Sequence, residues 1–191
     1  MNGGGVKSNA KVWFNGKARL ITLLVIGLML VMSLVVGRWF QSNYVGWLIE
    51  SVNSPNVLHA QWQEALDQLP QLTHPAVIHV LPSDCLCTLL TIKHAKTVSV
   101  KAKSAGFSIL QLGSSHTGLG ETIEMDVPEL SPFIAMTDEQ GVLKYLGAYS
   151  DGVRCTTANS LVDQFIGDVS NLPSHTIIGL DVKVCRCDSN Q

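Results

Sequence analysis

The chain has 191 residues, 46% apolar and 15% charged, with a formal charge of −2. That is room for one domain of ordinary size plus an appendage, and no low-complexity tract argues for disorder. Lys7, Lys11, Lys17 and Arg19 precede Arg38 without a single acid, whereas from Arg38 onward 9 basic residues stand against 15 acidic ones; an acidic body without a basic stripe excludes a nucleic-acid binder.

Residues 1–19 read as a cytoplasmic tail and 20–37 as a transmembrane anchor. Leu20 to Val36 are 17 consecutive uncharged residues, nearly all large and apolar, at the short end of a spanning helix. The positive charge before them keeps the N-terminus in the cytoplasm. A cleaved signal peptide is the rival reading, but no Ala-x-Ala site follows. Residues 38–53 read as a juxtamembrane linker, with Trp39, Tyr44 and Trp47 at the depth of an aromatic belt. In a bacterium this is a single-pass inner-membrane protein with a periplasmic domain, where disulfides are permitted.

The folded domain is expected over residues 54–172. Ser54-Pro55 opens a helix with Leu58, Trp62, Ala65, Leu66 and Leu69 on one face. Ala76 to Leu81 is a short buried strand, Cys85 to about Ala105 a helix closed by Gly106, and Phe107 to Leu112 a second strand. A helix between two strands makes a parallel βαβ unit. A loop with Gly113, Gly118 and Gly120 leads to Pro128. Ser131 to Gly147 then reads as a hairpin turning at Glu139-Gln140-Gly141. Asn159 to about Ser170 is a closing helix with Leu161, Val162, Phe165, Ile166 and Val169 as its apolar face, and the tail, 173–191, holds a strand over His175 to Cys187.

The chemistry gathers at His79-Val80-Leu81-Pro82-Ser83-Asp84-Cys85-Leu86-Cys87. A cysteine at a helix N-terminus meets unpaired N–H groups and the positive end of the helix dipole, which favour a thiolate. Asp84 opposes that effect. Cys185 and Cys187 repeat the Cys-x-Cys spacing, and Cys155 makes the count odd. All four paired cysteines are disulfide candidates, with the pairing open. Thiolates at this spacing also suit copper or zinc, so Cys85, Cys87, Cys185 and Cys187 form the alternative metal set. His79 reads as a satisfied strand histidine, and His94 lies two turns beyond Cys87, too far to share a ligand set. His116 sits in the glycine-containing loop. Arg154 and Arg186 each adjoin a cysteine.

The order α-β-α-β-β-β-α, with paired cysteines at a strand-to-helix junction and Ser131-Pro132 before the hairpin, resembles the thioredoxin fold over roughly Pro55 to Val169. It also resembles a family of membrane-anchored thioredoxin-like proteins from proteobacteria, which brings no assigned reaction. The resemblance implies a mixed sheet with flanking helices, a cis Ser131-Pro132 bond beside the cysteines and a groove shaped by Pro132. It makes Cys85 the nucleophile and Cys87 its resolving partner. If the fold is right, Cys155 follows the hairpin's second strand near Cys85 and Cys87. Thioredoxins carry Cys-x-x-Cys, whereas Cys85-Leu86-Cys87 would close a smaller, strained ring.

The function expected is therefore a membrane-anchored periplasmic thiol–disulfide oxidoreductase without a cofactor, acting on protein thiols and disulfides. The alternatives are a thiolate carrier of copper or zinc, and a non-enzymatic anchored module whose cysteines only staple it.

Overall fold

A computed structural model describes residues 16–52, 54–69, 72–83, 85–113, 117–125, 131–152 and 157–187. The chain separates into two compact units, residues 1–41 and 42–191.

Helix α1, Gly16–Tyr44, carries the first. Its stretch Ala18–Tyr44 has a mean hydropathy of 2.8 and is long and apolar enough to cross a membrane. Its apolar side chains are exposed all round, Leu23 and Leu34 to 67% and 70%. The hydroxyls of Thr22 and Ser33 donate to the carbonyls of Ala18 and Met29 one turn back. The helix continues past Arg38, where a linker is expected.

The second unit is α/β, with one mixed sheet of six strands. They are β2 (Ala76–Leu81), β3 (Ser108–Gly113), β4 (Glu121–Ile123), β5 (Phe133–Thr137), β6 (Leu143–Gly147) and β7 (Ile177–Gly179), in the order β4-β3-β2-β5-β6-β7. Helix α3, Leu86–Ser104, links β2 to β3, which pair in parallel from Ala76↔Ser108 to Leu81↔Gly113. β5 runs antiparallel to β2 and β6, and β4 and β7 lie parallel to their neighbours. The hairpin turns where expected: Asp138 Oδ1 accepts from the N–H groups of Gln140 and Val142 at 3.0 and 2.9 Å, and Gly141 supplies a φ of 80°.

Alternation along β2 divides the interior. Ala76, Ile78 and Val80 face the core formed with helix α2, Pro55–Asp67, through Leu58, Trp62 and Leu66. Val77 and Leu81 face the core formed with Ala95, Val98 and Ala102 of α3. Pro55 sits at the first helical position of α2, where its missing N–H is no loss. Trp62 meets Phe133 edge-on at 5.4 Å, and Gln63 Oε1 accepts from the Leu143 N–H at 3.0 Å, fixing α2 to β6.

Three expectations are corrected. Residues 159–170 form no α-helix. They hold two short 3₁₀ turns, Thr157–Asn159 and Val169–Asn171, with bends and turns between them. Asp163 N–H donates to Ser160 Oγ, Ser170 N–H to Asp168, and Leu161 N–H to the Tyr149 carbonyl; these local and tertiary partners replace helical ones. The apolar spacing still reported burial, since Val162 and Ile166 are fully enclosed. The tail strand is two short strands, β7 and β8 (Lys183–Cys185), and β8 leaves the main sheet to pair with β1 (Val45–Trp47). Finally, the cis bond among the described residues is His74–Pro75, so Ser131–Pro132 is trans. The backbone there is built around the tail, with Ser131 Oγ donating to the Cys185 carbonyl at 2.7 Å.

Truncating Trp62 should remove the largest fully buried side chain. Trp62→Ala is expected to cost about 3–5 kcal/mol, measured by urea unfolding of the detergent-solubilised chain with its disulfides intact; a loss below about 1 kcal/mol would contradict this packing.

Candidate functional site

The site forms where β2 ends. Pro82 and Ser83 leave the strand, and Thr88 Oγ1 reaches back to donate to the Pro82 carbonyl at 2.7 Å. That bond fixes the first turn of α3. Cys85 takes the N-cap position with extended backbone and makes no side-chain cap bond, while Cys87 lies within the first turn. Both sulfurs are therefore carried where backbone N–H groups lack helical partners.

The C-terminal tail comes to this helix start from the far edge of the sheet. After β7, the Leu48 and Ile49 N–H groups donate to the carbonyls of Val182 and Leu180, both at 3.0 Å. β8 then runs antiparallel to β1 in the register Val45↔Cys185, Gly46↔Val184, Trp47↔Lys183. Beyond β8, Arg186 N–H donates to the Tyr44 carbonyl at 2.8 Å. The Arg186 side chain lies over Gly46, where any Cβ would collide with its guanidinium, and reaches Glu50 at 3.6 Å. Lys183 sits over the Trp47 ring, 5.2 Å from its centre.

Two disulfides close across this arrangement, Cys85–Cys187 and Cys87–Cys185, with Cα separations of 5.3 and 5.6 Å. The exchange pair expected within Cys85-Leu86-Cys87 is corrected to two crossed bonds. A tail running against the start of α3 sets Cys187 opposite Cys85 and Cys185 opposite Cys87. Cys85, Cys87 and Cys185 are buried, exposed to 7%, 1% and 7%; Cys187 is half-buried. The Cys87 sulfur lies 3.2 Å from the Arg186 carbonyl oxygen. With both bonds closed, no group of three or more histidine, cysteine or acidic side chains among the described residues is placed to hold a metal.

Of the residues singled out by sequence, the fold brings together Cys85, Cys87, Cys185, Cys187 and the segment Ser131-Pro132, whose proline is buried. Cys155, Asp84, Arg154 and His116 lie outside the described residues. Gly46, Glu50 and β1 were not legible as part of the site, because a three-residue strand carries no periodicity to read.

His79 and His94 serve the interior beneath. His79 Nδ1 lies 2.6 Å from the Tyr149 hydroxyl and Nε2 2.9 Å from Ser99 Oγ. Ser99 spends its proton on the Ala95 carbonyl. Nε2 therefore carries the imidazole proton, and Tyr149 donates to Nδ1. Burial, with the neighbouring His94 adding to it, pushes His79 down to about 3. His94 packs against Tyr149 and lies 3.9 Å from Asp163.

Residues 55–189 match a family described as a domain of unknown function (DUF6436). The chain belongs to the DUF6436 family. No curated protein matches the chain, and no solved structure matches it. The DUF6436 match opens at the first residue of α2 and runs past Cys187, so both cysteine pairs fall within it while α1 and β1 precede it.

Two predictions follow from this geometry. In the double variant Cys87→Ser/Cys185→Ser, tryptic cleavage after Arg186 should leave the Cys85 peptide joined to one beginning at Cys187. A Cys85 thiol open to alkylation would contradict the crossed pairing. Secondly, the unfolded chain protonates His79 near 6.5 while the folded domain resists until about 3. Its contribution to stability is thus complete above about pH 6.5 and is lost on acidification, at about 1.4 kcal/mol per pH unit. Urea unfolding of wild type and His79→Gln between pH 7 and 4 should converge as pH falls, and parallel curves would contradict a neutral buried ring.

Proposed function

We propose that the DUF6436 domain carries out thiol–disulfide exchange through the bonds Cys85–Cys187 and Cys87–Cys185, on a thioredoxin-like framework held at the periplasmic face of a bacterial inner membrane by α1. Several features support the framework: parallel β2 and β3 joined by α3, an antiparallel β5–β6 pair on the other side of β2, and cysteines at the start of α3. The basic residues before α1 and the need of disulfides for an oxidising compartment support the location.

The observation that carries the reading is the placement of two disulfides in one three-residue helix start. A bond spanning about 100 residues removes about 4.7 kcal/mol of unfolded-chain entropy. Once either bond has closed that loop, the second closes a ring of only a few residues, and the same relation gives it about 2 kcal/mol. The second bond adds little as a staple; as an exchange partner beside the first, it doubles the electrons the site can take.

Exchange begins at Cys187, the most exposed of the four residues. A partner's thiolate attacks Cys187 Sγ, the Cys85–Cys187 bond breaks, and a mixed disulfide to Cys187 forms. Cys85 leaves as a thiolate at the start of α3, where helix N–H groups and the dipole stabilise it. A second thiol of the partner then resolves the mixed disulfide. The partner's dithiol becomes a disulfide, and Cys85 and Cys187 take up its two electrons and two protons. The Cys87–Cys185 bond takes a second pair of electrons in the same way, or through Cys85 attacking it from within.

A second reading has an observation of its own. The bonds span 102 and 98 residues, so whichever closes first constrains a long loop and stabilises the fold strongly, and a pure staple needs no partner.

Redox titration of the detergent-solubilised chain in glutathione buffers separates the two. Exchange predicts that at least one bond titrates above about −230 mV, where labile disulfides lie. Both bonds titrating below about −300 mV would assign them as staples.

A further inference from the structure

We infer that the reduced domain binds one Zn(II) ion on the four thiolates of Cys85, Cys87, Cys185 and Cys187. The inference rests on the exchange reading in one respect, that both bonds open while the domain stays folded.

The four residues lie at the corners of a small quadrilateral. Two sides are the cross-chain Cα separations of 5.3 and 5.6 Å, and the other two are single Cys-x-Cys steps. Zinc holds four thiolates tetrahedrally at about 2.3 Å, which sets the sulfurs about 3.8 Å apart. Opening each S–S bond frees its two sulfurs to separate toward that spacing by side-chain rotation, and both Cys-x-Cys steps already present their sulfurs to the same opposing chain.

The backbone is held in place by contacts other than the disulfides. The β1–β8 register, the bonds from Leu48 and Ile49 to the tail, the Arg186 N–H on the Tyr44 carbonyl and the Ser131 hydroxyl on the Cys185 carbonyl all remain when the sulfurs part. The tail therefore keeps facing the start of α3 after reduction. Burial of Cys85, Cys87 and Cys185 shields the sulfurs from water.

Charge supports the same cation. Four thiolates around Zn(II) leave a net charge of −2. It would face the N–H groups at the start of α3. No histidine or carboxylate contributes, so the set is all-sulfur. Four sulfurs suit tetrahedral zinc, whereas Cu(I) is satisfied by fewer soft ligands.

The steps balance. Two partner dithiols supply four electrons and four protons, and the two disulfides become four thiols. Zn(II) then displaces four protons to solvent with no change of oxidation state. Reoxidation by two partner disulfides removes four electrons, re-forms both bonds and releases the ion, and the partners become two dithiols with four protons from solvent.

The test uses the full chain in detergent, reduced with a phosphine under inert gas, freed of the phosphine and titrated with Co(II) and then Zn(II). The site predicts one Co(II) per chain with the sulfur-to-cobalt charge-transfer and intense visible bands of a tetrahedral thiolate centre, displaced by one equivalent of Zn(II). Four of the five cysteines should then resist alkylation. The oxidised chain should bind none, and Cys185→Ser/Cys187→Ser should bind at least 100-fold more weakly. Reduced, folded chain that takes up no metal, or oxidised chain that binds equally well, would overturn the site. If the bonds exchange in glutathione while the reduced chain takes no metal, the zinc site fails and exchange stands. If they resist glutathione while the phosphine-reduced chain binds zinc, exchange fails and the site stands.

Discussion

The sulfur cluster depends on where the last strand lands. β8 pairs with β1 and not with the main sheet, and this single antiparallel contact carries Cys185 and Cys187 across the start of α3. Strand direction then settles the bonding. A tail running against the first turn of α3 must join its last cysteine to the first of the other pair, and the reverse. Three of the four cysteines are buried and Cys187 is half-buried. Arg186, between the tail cysteines, is held by the Tyr44 carbonyl, the space over Gly46 and Glu50.

Much of the scaffold was legible because its elements are long enough to show a period. The apolar run of α1, the face of α2, the buried run of β2, the extent of α3 and the Asp138–Gly141 turn all lie close to where their residues place them. The closing segment was read correctly for burial and wrongly for conformation. Val162 and Ile166 keep helical spacing, but Ser160 and Asp168 offer their neighbours' N–H groups a side-chain partner instead. The short strands β1, β4, β7 and β8 have three residues each. At that length pairing is decided by what the rest of the fold leaves open.

The four cysteines were legible as a set, and their connectivity was not. Spacing two apart looks like a local pair, whereas each cysteine bonds across to the tail. The link from Ser131 to the tail was equally hidden, since it joins residues 54 apart in sequence. The resemblance to thioredoxins led to a cis bond at Ser131–Pro132 and an open groove; in this chain its own tail occupies that side of Ser131. That side of the site is therefore filled by a segment that is covalently attached.

The central claim is that the bonds can open without the fold being lost, as an exchanging centre requires. The most direct measurement is cooperative urea unfolding of the fully reduced chain at neutral pH, followed by near-ultraviolet circular dichroism. The account predicts native-like aromatic signal without denaturant and a single transition at a lower midpoint than in the oxidised chain. Loss of that signal on reduction alone, before any urea is added, would contradict it.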